Sequence, residues 1–252
     1  MSTVPTLPGI SSRIIETKRL KVHALFCGAE EGEPVFFFHG NASSATFWEE
    51  IMLQLPAGFR AVAIDLRGYG DTEDVLIDAT RGLGDWVDDA FALADALGIE
   101  KFHAVGHSLG GMLVFNLVAA NSARILSATV VNPGSPYGFG GTKDINGTPC
   151  YDDFAGSGGG VVNPEFPQRM AQGDRSMDSP TASPRIVMNS FYWKPPFIPE
   201  REEDLLSSLL SEKVGPEKYP GDFVPSANWP NVAPGKWGGI NASSPKDVGD
   251  SV

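Results

Sequence analysis

The sequence has few of the features that mark secreted, membrane-spanning or disulfide-rich proteins. Its 252 residues include only two cysteines, Cys27 and Cys150, so no disulfide framework is expected. No apolar run approaches the roughly 20 residues that a helix needs to cross a bilayer. Residues 1–20 also lack the apolar core of a signal peptide. We therefore expect a cytoplasmic protein with no membrane span.

Positive charge is also scarce. There are 19 lysines and arginines against 31 aspartates and glutamates, which gives a formal net charge of −12. A surface of this sign repels phosphate backbones and anionic lipid headgroups. The balance argues against nucleic acid as a partner, and it leaves the oligomeric state open.

Strand and helix patterns alternate through the first half of the sequence. The apolar run at residues 35–38 is typical of a buried strand, and residues 84–97 carry apolar side chains at helical spacing. Such alternation predicts the α/β class, with a mostly parallel sheet and helices on both faces. We assign residues 1–17 to an N-terminal arm and residues 18–134 to this core.

A further helix is expected just after residues 35–38. Thr46 and Glu49 have the spacing of a capping box, and Pro56 would end the helix.

The pattern changes in the second half. Sixteen of the 20 prolines lie at or after Pro133, and glycine-rich stretches separate the remaining helical patterns. Regular alternation of strands and helices cannot continue through such a sequence. Scattered aromatic residues there suit a cover over a pocket. We therefore predict a proline- and glycine-rich cap or lid at residues 135–240 and a short tail at residues 241–252.

The stretch Gly106-His107-Ser108-Leu109-Gly110 has the form G-x-S-x-G. An apolar strand pattern precedes it and an apolar helix pattern follows it. A serine on a tight strand-to-helix turn needs glycine two positions before and after it, because larger side chains would collide across the turn. This context predicts Ser108 to be a catalytic nucleophile.

Acyl transfer also needs donors for a developing oxyanion. The backbone N–H of Leu109 lies at the start of the predicted helix and is one candidate. The second candidate is the N–H of Asn41, exposed by a turn at Gly40 after the strand at residues 35–38. We expect His39 to order this loop through hydrogen bonds rather than to act as a base.

Three segments, PVFFFHGNASSATFW, AIDLRGYGDT and AVGHSLGG, occur in this order and together resemble the α/β-hydrolase fold superfamily. Within it the chain is similar to the branch of serine hydrolases that act on esters and lactones. The resemblance implies an oxyanion loop at Gly40 and Asn41, a nucleophile at Ser108 and a purely structural role for Asp65. A small apolar acyl substrate is expected, with no cofactor and no metal.

The sequence contains four histidines, and none follows Ser108. The family order is serine, acid, then histidine along the chain, and the family sheet has eight strands where six are predicted here. We therefore expect a C-terminally truncated hydrolase that lacks its last two strands, its acid and its base. Three possibilities remain open from the sequence: an impaired serine hydrolase, a non-catalytic small-molecule-binding protein with a hydrolase-like fold, and an inactive truncated isoform.

Overall fold

A six-stranded sheet organises the first half of the computed structural model, which describes residues 3–248. The strands of the protein are β1 (Ser11–Glu16), β2 (Lys21–Gly28), β3 (Glu33–Phe38), β4 (Phe59–Ile64), β5 (Phe102–His107), β6 (Ile125–Val131), β7 (Phe223–Pro225) and β8 (Val232–Pro234). The helices are α1 (Glu49–Met52), α2 (Gly84–Ala96), α3 (Leu109–Asn121), α4 (Glu165–Ala171), α5 (Pro184–Phe191), α6 (Glu202–Leu209), α7 (Gly239–Ala242) and α8 (Pro245–Val248).

The strand order of the large sheet is β1-β2-β4-β3-β5-β6. The pairs β3–β4, β3–β5 and β5–β6 are parallel, whereas β1–β2 and β2–β4 are antiparallel. The predicted mostly parallel sheet is thus confirmed. The segment predicted as an N-terminal arm contains a strand instead, because Ser11–Glu16 pairs with β2 over its whole length.

Apolar side chains of the sheet pack on both of its faces. Phe36 and Phe38 belong to a core cluster with residues of α2 and α3, while Val35 and Phe37 belong to a second cluster with Trp48 on the opposite face. Successive side chains of a strand point to opposite faces, so a strand covered on both sides is apolar throughout. Helices on both faces are therefore confirmed.

The first helical segment begins differently from the prediction. Ser44 is its N-cap, and the Ser44 hydroxyl accepts a hydrogen bond from the N–H of Thr46. The predicted capping box of Thr46 and Glu49 is wrong. Glu49 instead lies buried, accepts a hydrogen bond from the N–H of Leu7 and pairs with Arg201 at 3.2 Å.

Strand β6 forms one edge of the sheet. Among residues 3–248 no strand pairs with its outer side. Three apolar side chains of β6, Leu126, Val130 and Val131, are between 36% and 44% exposed. The edge therefore presents unpaired backbone groups beside apolar side chains.

Residues 135–240 contain α4, α5, α6 and the β7–β8 hairpin, which forms a separate two-stranded sheet. Their buried apolar residues form a third cluster that includes Ala42 of the core. This segment consequently packs directly on the loop that follows β3. In the described part of the chain, no helix is long and apolar enough to cross a membrane.

Candidate active site

Ser108 lies at the turn between the end of β5 and the start of α3. Its backbone has φ 55° and ψ −115°, a conformation that costs energy for a residue with a side chain. The Ser108 N–H donates to the carbonyl of Val131 on β6 at 3.1 Å, which helps to hold the turn. The structure thus shows a strained serine at the position that the sequence predicts.

The flanking glycines are required by the space around the turn. A Cβ at Gly106 would collide with the carbonyl group of Gly110, and a Cβ at Gly110 would collide with the carbonyl groups of Phe38 and His39. The predicted steric role of both glycines is therefore visible in the structure.

The loop after β3 lies directly against this turn. A Cβ added to Gly40 would come within 3.1 Å of the Ser108 Cβ. Asn41 and Leu109 line the same cavity as Ser108. The structure therefore brings together the four residues that the sequence predicts for the site, Gly40, Asn41, Ser108 and Leu109.

Three tyrosine hydroxyls hold the loop at Asn41. Tyr192 donates to the carbonyl groups of Asn41 and Ala42 at 2.9 and 2.8 Å. The Tyr69 hydroxyl donates to Asn41 Oδ1 at 3.1 Å, and Asn41 Nδ2 donates to the Tyr219 hydroxyl at 3.5 Å. Ala42 has φ 46°, so these bonds stabilise a backbone that is strained on its own.

The cavity above Ser108 has a volume of about 510 Å³. Its described lining contains polar side chains but no charged ones. Most of its apolar lining comes from α3 and from residues 135–243: Met112, Phe139, Val161, Val162, Phe166, Val187, Phe191 and Ile240. An uncharged, largely apolar cavity favours neutral ligands with apolar groups.

His39 has both ring nitrogens engaged. Nδ1 contacts the carbonyl of Gly40 at 2.7 Å, and Nε2 accepts a hydrogen bond from the N–H of Leu66 at 3.1 Å. Burial lowers the pKa of His39 to about 4, and the attraction of Asp65 offsets only part of that effect. A neutral imidazole with both nitrogens occupied orders the loop and is unsuited to deprotonate Ser108.

His107 precedes Ser108 but points elsewhere. It lines a second cavity of about 580 Å³, together with Val105, Thr129 and Val131, whereas Ser108 lines the first. Burial lowers the pKa of His107. No hydrogen bond joins the two neighbouring side chains, so adjacency in the sequence gives His107 no access to the serine proton.

The remaining histidines lie on other parts of the sheet. His103 contacts Ser127 at 2.7 Å and Glu33 at 3.1 Å. His23 is buried and contacts Asp65 at 2.7 Å and Ser12 at 2.8 Å. All four histidines of the chain lie within residues 3–248, and none is placed as a base for Ser108.

Asp65 holds together the turn that follows β4. Besides His23, it accepts hydrogen bonds from the N–H groups of Ala45 and Asp71, both at 2.8 Å. Burial alone would raise the pKa of Asp65, but the hydrogen bond and electrostatic attraction of His23, together with His39 and the Ala45 N–H, lower it. His23, Asp65 and Asp71 bring potential ligand atoms within 4.8 Å of one another, and their mutual hydrogen bonds explain that proximity.

Four residues around the site have no counterpart among the predicted site residues: Tyr69, Tyr192, Glu212 and Tyr219. Tyr69 belongs to a recognised turn segment, but the other three follow no motif. Their bonds to the loop span up to 178 residues, as between Asn41 and Tyr219. The only signal in the sequence was the general richness of residues 135–240 in aromatics.

Residues 33–154 match a family model described as the alpha/beta hydrolase fold. Among curated proteins, the chain is 29% identical over 127 residues to the "Uncharacterized carboxylesterase nap" of Bacillus subtilis (strain 168), covering 49% of this chain and 41% of that protein. It is 33% identical over 110 residues to the 2-hydroxy-6-oxo-6-phenylhexa-2,4-dienoate hydrolase of Comamonas testosteroni, covering 42% and 38%. The chain thus spans about two fifths of the length of the curated relatives it matches.

One solved structure, from Bacillus subtilis, matches with a TM-score of 0.55 at 20% identity and covers 85% of this chain and 65% of that one. At this identity, the likeness shows the fold alone. The relatives named above carry hydrolase names. The family model matches the part of the chain that contains β3 to β6 and the Ser108 turn. Residues 33–154, a little under half of the chain, therefore match the α/β-hydrolase fold superfamily.

Proposed function

We propose that the protein is a serine hydrolase that acts on carboxylic esters, lactones or related acyl compounds through an acyl-enzyme on Ser108. The observation that carries the proposal is the strained Ser108 turn at an uncharged cavity shared with Asn41 and Leu109. Turns of this kind expose a serine hydroxyl to a substrate. The hydrolase names of the relatives support the reaction class.

In this proposal the Ser108 Oγ attacks the substrate carbonyl carbon and forms an ester bond to it. The bond to the leaving oxygen breaks, and the Ser108 proton passes through solvent to that oxygen, which departs as the alcohol. The N–H groups of Leu109 and Asn41 donate to the oxygen that becomes negative during the attack. Leu109 is the first residue of α3, where the helix dipole adds positive potential. Water then releases the acyl group.

The cavity supports a neutral, apolar substrate. Its lining within residues 3–248 has no charged side chain that could pair with a charged acyl group. A volume of about 510 Å³ accommodates a small ester with an aliphatic or aromatic acyl chain. We propose that residues 135–240, which supply much of this lining, act as the lid of the site.

No histidine of the chain is placed to accept the Ser108 proton, as the geometry above describes. A serine without its base keeps only the residual catalysis that binding and oxyanion donors provide. We therefore expect weak turnover from this chain by itself, dependent on Ser108.

Hydrolysis of a matched ester pair tests the proposal. p-Nitrophenyl butyrate presents a neutral acyl chain, whereas p-nitrophenyl hemisuccinate has a similar length and a terminal carboxylate. We expect measurable hydrolysis of the butyrate, little of the hemisuccinate, and the buffer rate for Ser108→Ala with either ester. Turnover of the butyrate that survives Ser108→Ala would refute the nucleophile assignment.

A second candidate function is the binding of small apolar molecules without turnover. The absence of a base near Ser108 among residues 3–248 favours it. Saturable binding of the butyrate, with no product above the buffer rate and no covalent adduct, would support this alternative over the hydrolase.

A further inference from the structure

Glu212 is a buried carboxyl group close to the proposed site, and the mechanism above gives it no role. It follows α6, is 6% exposed, and its Oε2 has no hydrogen-bond partner among the described residues. Burial raises the pKa of Glu212 well above its ordinary value. The Tyr69 hydroxyl and the Ala42 N–H beside the carboxyl offset only part of this effect. The neutral acid, which can donate a hydrogen bond, is therefore the favoured form.

Beyond Glu212, hydrogen bonds continue in one direction toward the cavity. The Tyr69 hydroxyl donates its only proton to Asn41 Oδ1 at 3.1 Å, so the Tyr69 oxygen is free to accept. The Glu212 carboxyl is in hydrogen-bond contact with this hydroxyl, and in its neutral form it can donate to the Tyr69 oxygen. At the other end, Asn41 Nδ2 donates to the Tyr219 oxygen at 3.5 Å. Tyr219 then keeps its own proton for another acceptor.

We propose that Glu212 is a positioning residue of the Ser108 site. As the donor at the start of the chain Glu212–Tyr69–Asn41–Tyr219, it fixes the orientation of the Asn41 amide and leaves the Tyr219 proton free to bind a substrate oxygen. Asn41 and Tyr219 both line the cavity that contains Ser108. The inference rests on the proposed function, because that function supplies the substrate oxygen that would accept the Tyr219 proton.

The direction of the chain depends on the proton of Glu212. An ionised carboxylate would draw the Tyr69 proton to itself, because bonds to charged acceptors are stronger than bonds to an amide oxygen. Asn41 Oδ1 would then lose its donor, and the side-chain amide would be free to rotate. Deprotonation of Glu212 is thus expected to loosen the loop that supplies the oxyanion donor.

The two lysines near Glu212 are engaged with other groups and do not stabilise its ionised form. Lys213 donates its Nζ to the carbonyl of Gly70, and Lys218 pairs with Asp74, so neither ammonium group is paired with Glu212. The titratable and charged side chains that face Glu212 or line the hollow beside it are Tyr69, Asp74, Tyr192, Lys213, Glu217, Lys218 and Tyr219.

Three variants separate the donor role from simple packing. Glu212→Gln keeps a donor and an acceptor in the same shape, Glu212→Leu removes both, and Tyr69→Phe interrupts the chain while keeping the ring. We expect Glu212→Gln to retain kcat/KM for p-nitrophenyl butyrate within about twofold. Glu212→Leu and Tyr69→Phe should each lose about five- to tenfold, the scale of one hydrogen bond.

The pH profile provides a readout that packing alone would not change. As pH rises through the elevated pKa of Glu212, the wild-type kcat/KM should fall in a step that Glu212→Gln lacks. The infrared spectrum of the wild-type protein at pH 7 should contain the carbonyl stretch of a protonated carboxylic acid that is missing in Glu212→Gln. Hydrogen exchange at residues 39–44 should be faster in Tyr69→Phe and unchanged in Glu212→Gln.

The absence of a protonated acid band at pH 7 would overturn the proposal. So would an unchanged kcat/KM and unchanged exchange in Tyr69→Phe, which remains informative even where Glu212→Leu fails to fold. Failure of the proposed function has a different signature. In that case Ser108→Ala keeps the wild-type turnover, while the infrared band and the exchange of residues 39–44 still test the positioning role.

Discussion

The core and the segment at residues 135–240 contribute to the candidate site in different ways. In the core, backbone packing fixes Ser108, because a Cβ at Gly106 or Gly110 would collide with carbonyl groups around the turn. The later segment reaches the same site through side chains, as Tyr192 and Tyr219 do by hydrogen bonds to the loop at Asn41. The core therefore positions Ser108 through close backbone contacts, whereas the later segment shapes its surroundings through side chains.

The two sides of the Ser108 turn show the same contrast on a smaller scale. Ser108 opens into the uncharged cavity, and His107, its neighbour in the sequence, lines a different one. A turn of this kind separates adjacent side chains, so a serine and a histidine next to each other do not form a catalytic pair.

The largest expected effect comes from a substitution within the Ser108 turn. Gly110→Ala would place a Cβ against the carbonyl groups of Phe38 and His39, which belong to rigid backbone. We expect a loss of roughly 3 kcal/mol in the free energy of unfolding, as for severe overpacking. Urea denaturation measures it. Gly84→Ala is the matched control, since its Cβ would meet no atom closer than 3.5 Å. Equal stability of the two variants would contradict the steric account of the turn.

The next effect concerns the core loop at His39. Burial lowers the pKa of His39 to about 4, below its usual value of 6.5. Between these values the unfolded chain binds the proton more readily than the folded one, so stability is full above pH 6.5 and falls as pH drops toward 4. At pH 5 the free energy of unfolding is expected to be about 2 kcal/mol lower than at pH 7. His39→Gln should remove that part of the pH dependence in urea denaturation. An identical slope in both proteins would show that His39 does not titrate in this way.

A smaller effect tests the hydrogen bonds that residues 135–240 make to the loop at Asn41. Tyr192→Phe removes the hydroxyl that donates to the carbonyl groups of Asn41 and Ala42. We expect a loss of about 1 kcal/mol in the free energy of unfolding, the net worth of such bonds. The control is Tyr137→Phe, at a tyrosine that is 41% exposed, which should change stability by less than about 0.5 kcal/mol. If Tyr137→Phe lowers the free energy of unfolding as much as Tyr192→Phe does, the hydrogen bonds to the loop make no specific contribution to stability.

The smallest change in stability is expected at the edge strand β6, where the effect is on association instead. Exposed strand edges with apolar side chains favour self-association and the binding of hydrophobic dyes. Val130→Lys should reduce both, with a change of less than about 0.5 kcal/mol in stability. Val118→Lys, on α3 at the same 36% exposure, is the matched control and should leave association unchanged. Equal effects of the two variants would point to general surface charge rather than to the strand edge.

The parts of the fold that the sequence predicted are those set by local rules. Strands and helices of the core follow from apolar spacing, and the Ser108 turn follows from the glycines two positions before and after it. Gly106 is required by its contact with Gly110 in the same turn, whereas Gly110 is required by the backbone of Phe38 and His39. The helix start near Thr46 was wrong because the local pattern was overridden. Glu49, which would have completed the capping box, is drawn into a buried pair with Arg201, 152 residues away.

The hydrogen-bond network around Asn41 escaped prediction for the same physical reason. Glu212 and Tyr219 carry no motif, and their proximity to Asn41 depends on how residues 135–240 pack on the core. Single-sequence patterns give the chemistry of each residue but not such long-range contacts. The strand at Ser11–Glu16 was missed because its sequence, SSRIIE, has only two apolar residues and no polar–apolar alternation.

Covalent labelling tests directly whether Ser108 is the nucleophile of this site. A fluorophosphonate ester reacts with a nucleophilic serine by forming a phosphorus–oxygen bond and releasing fluoride. Trypsin cleaves after Lys101 and Arg124, so a single peptide of residues 102–124 carries Ser108. We predict slow, time-dependent addition of one phosphonyl group to Ser108 in this peptide, localised by fragmentation, and none in Ser108→Ala. Labelling that persists in Ser108→Ala, or a wild-type protein that stays unlabelled after prolonged incubation, would contradict the account.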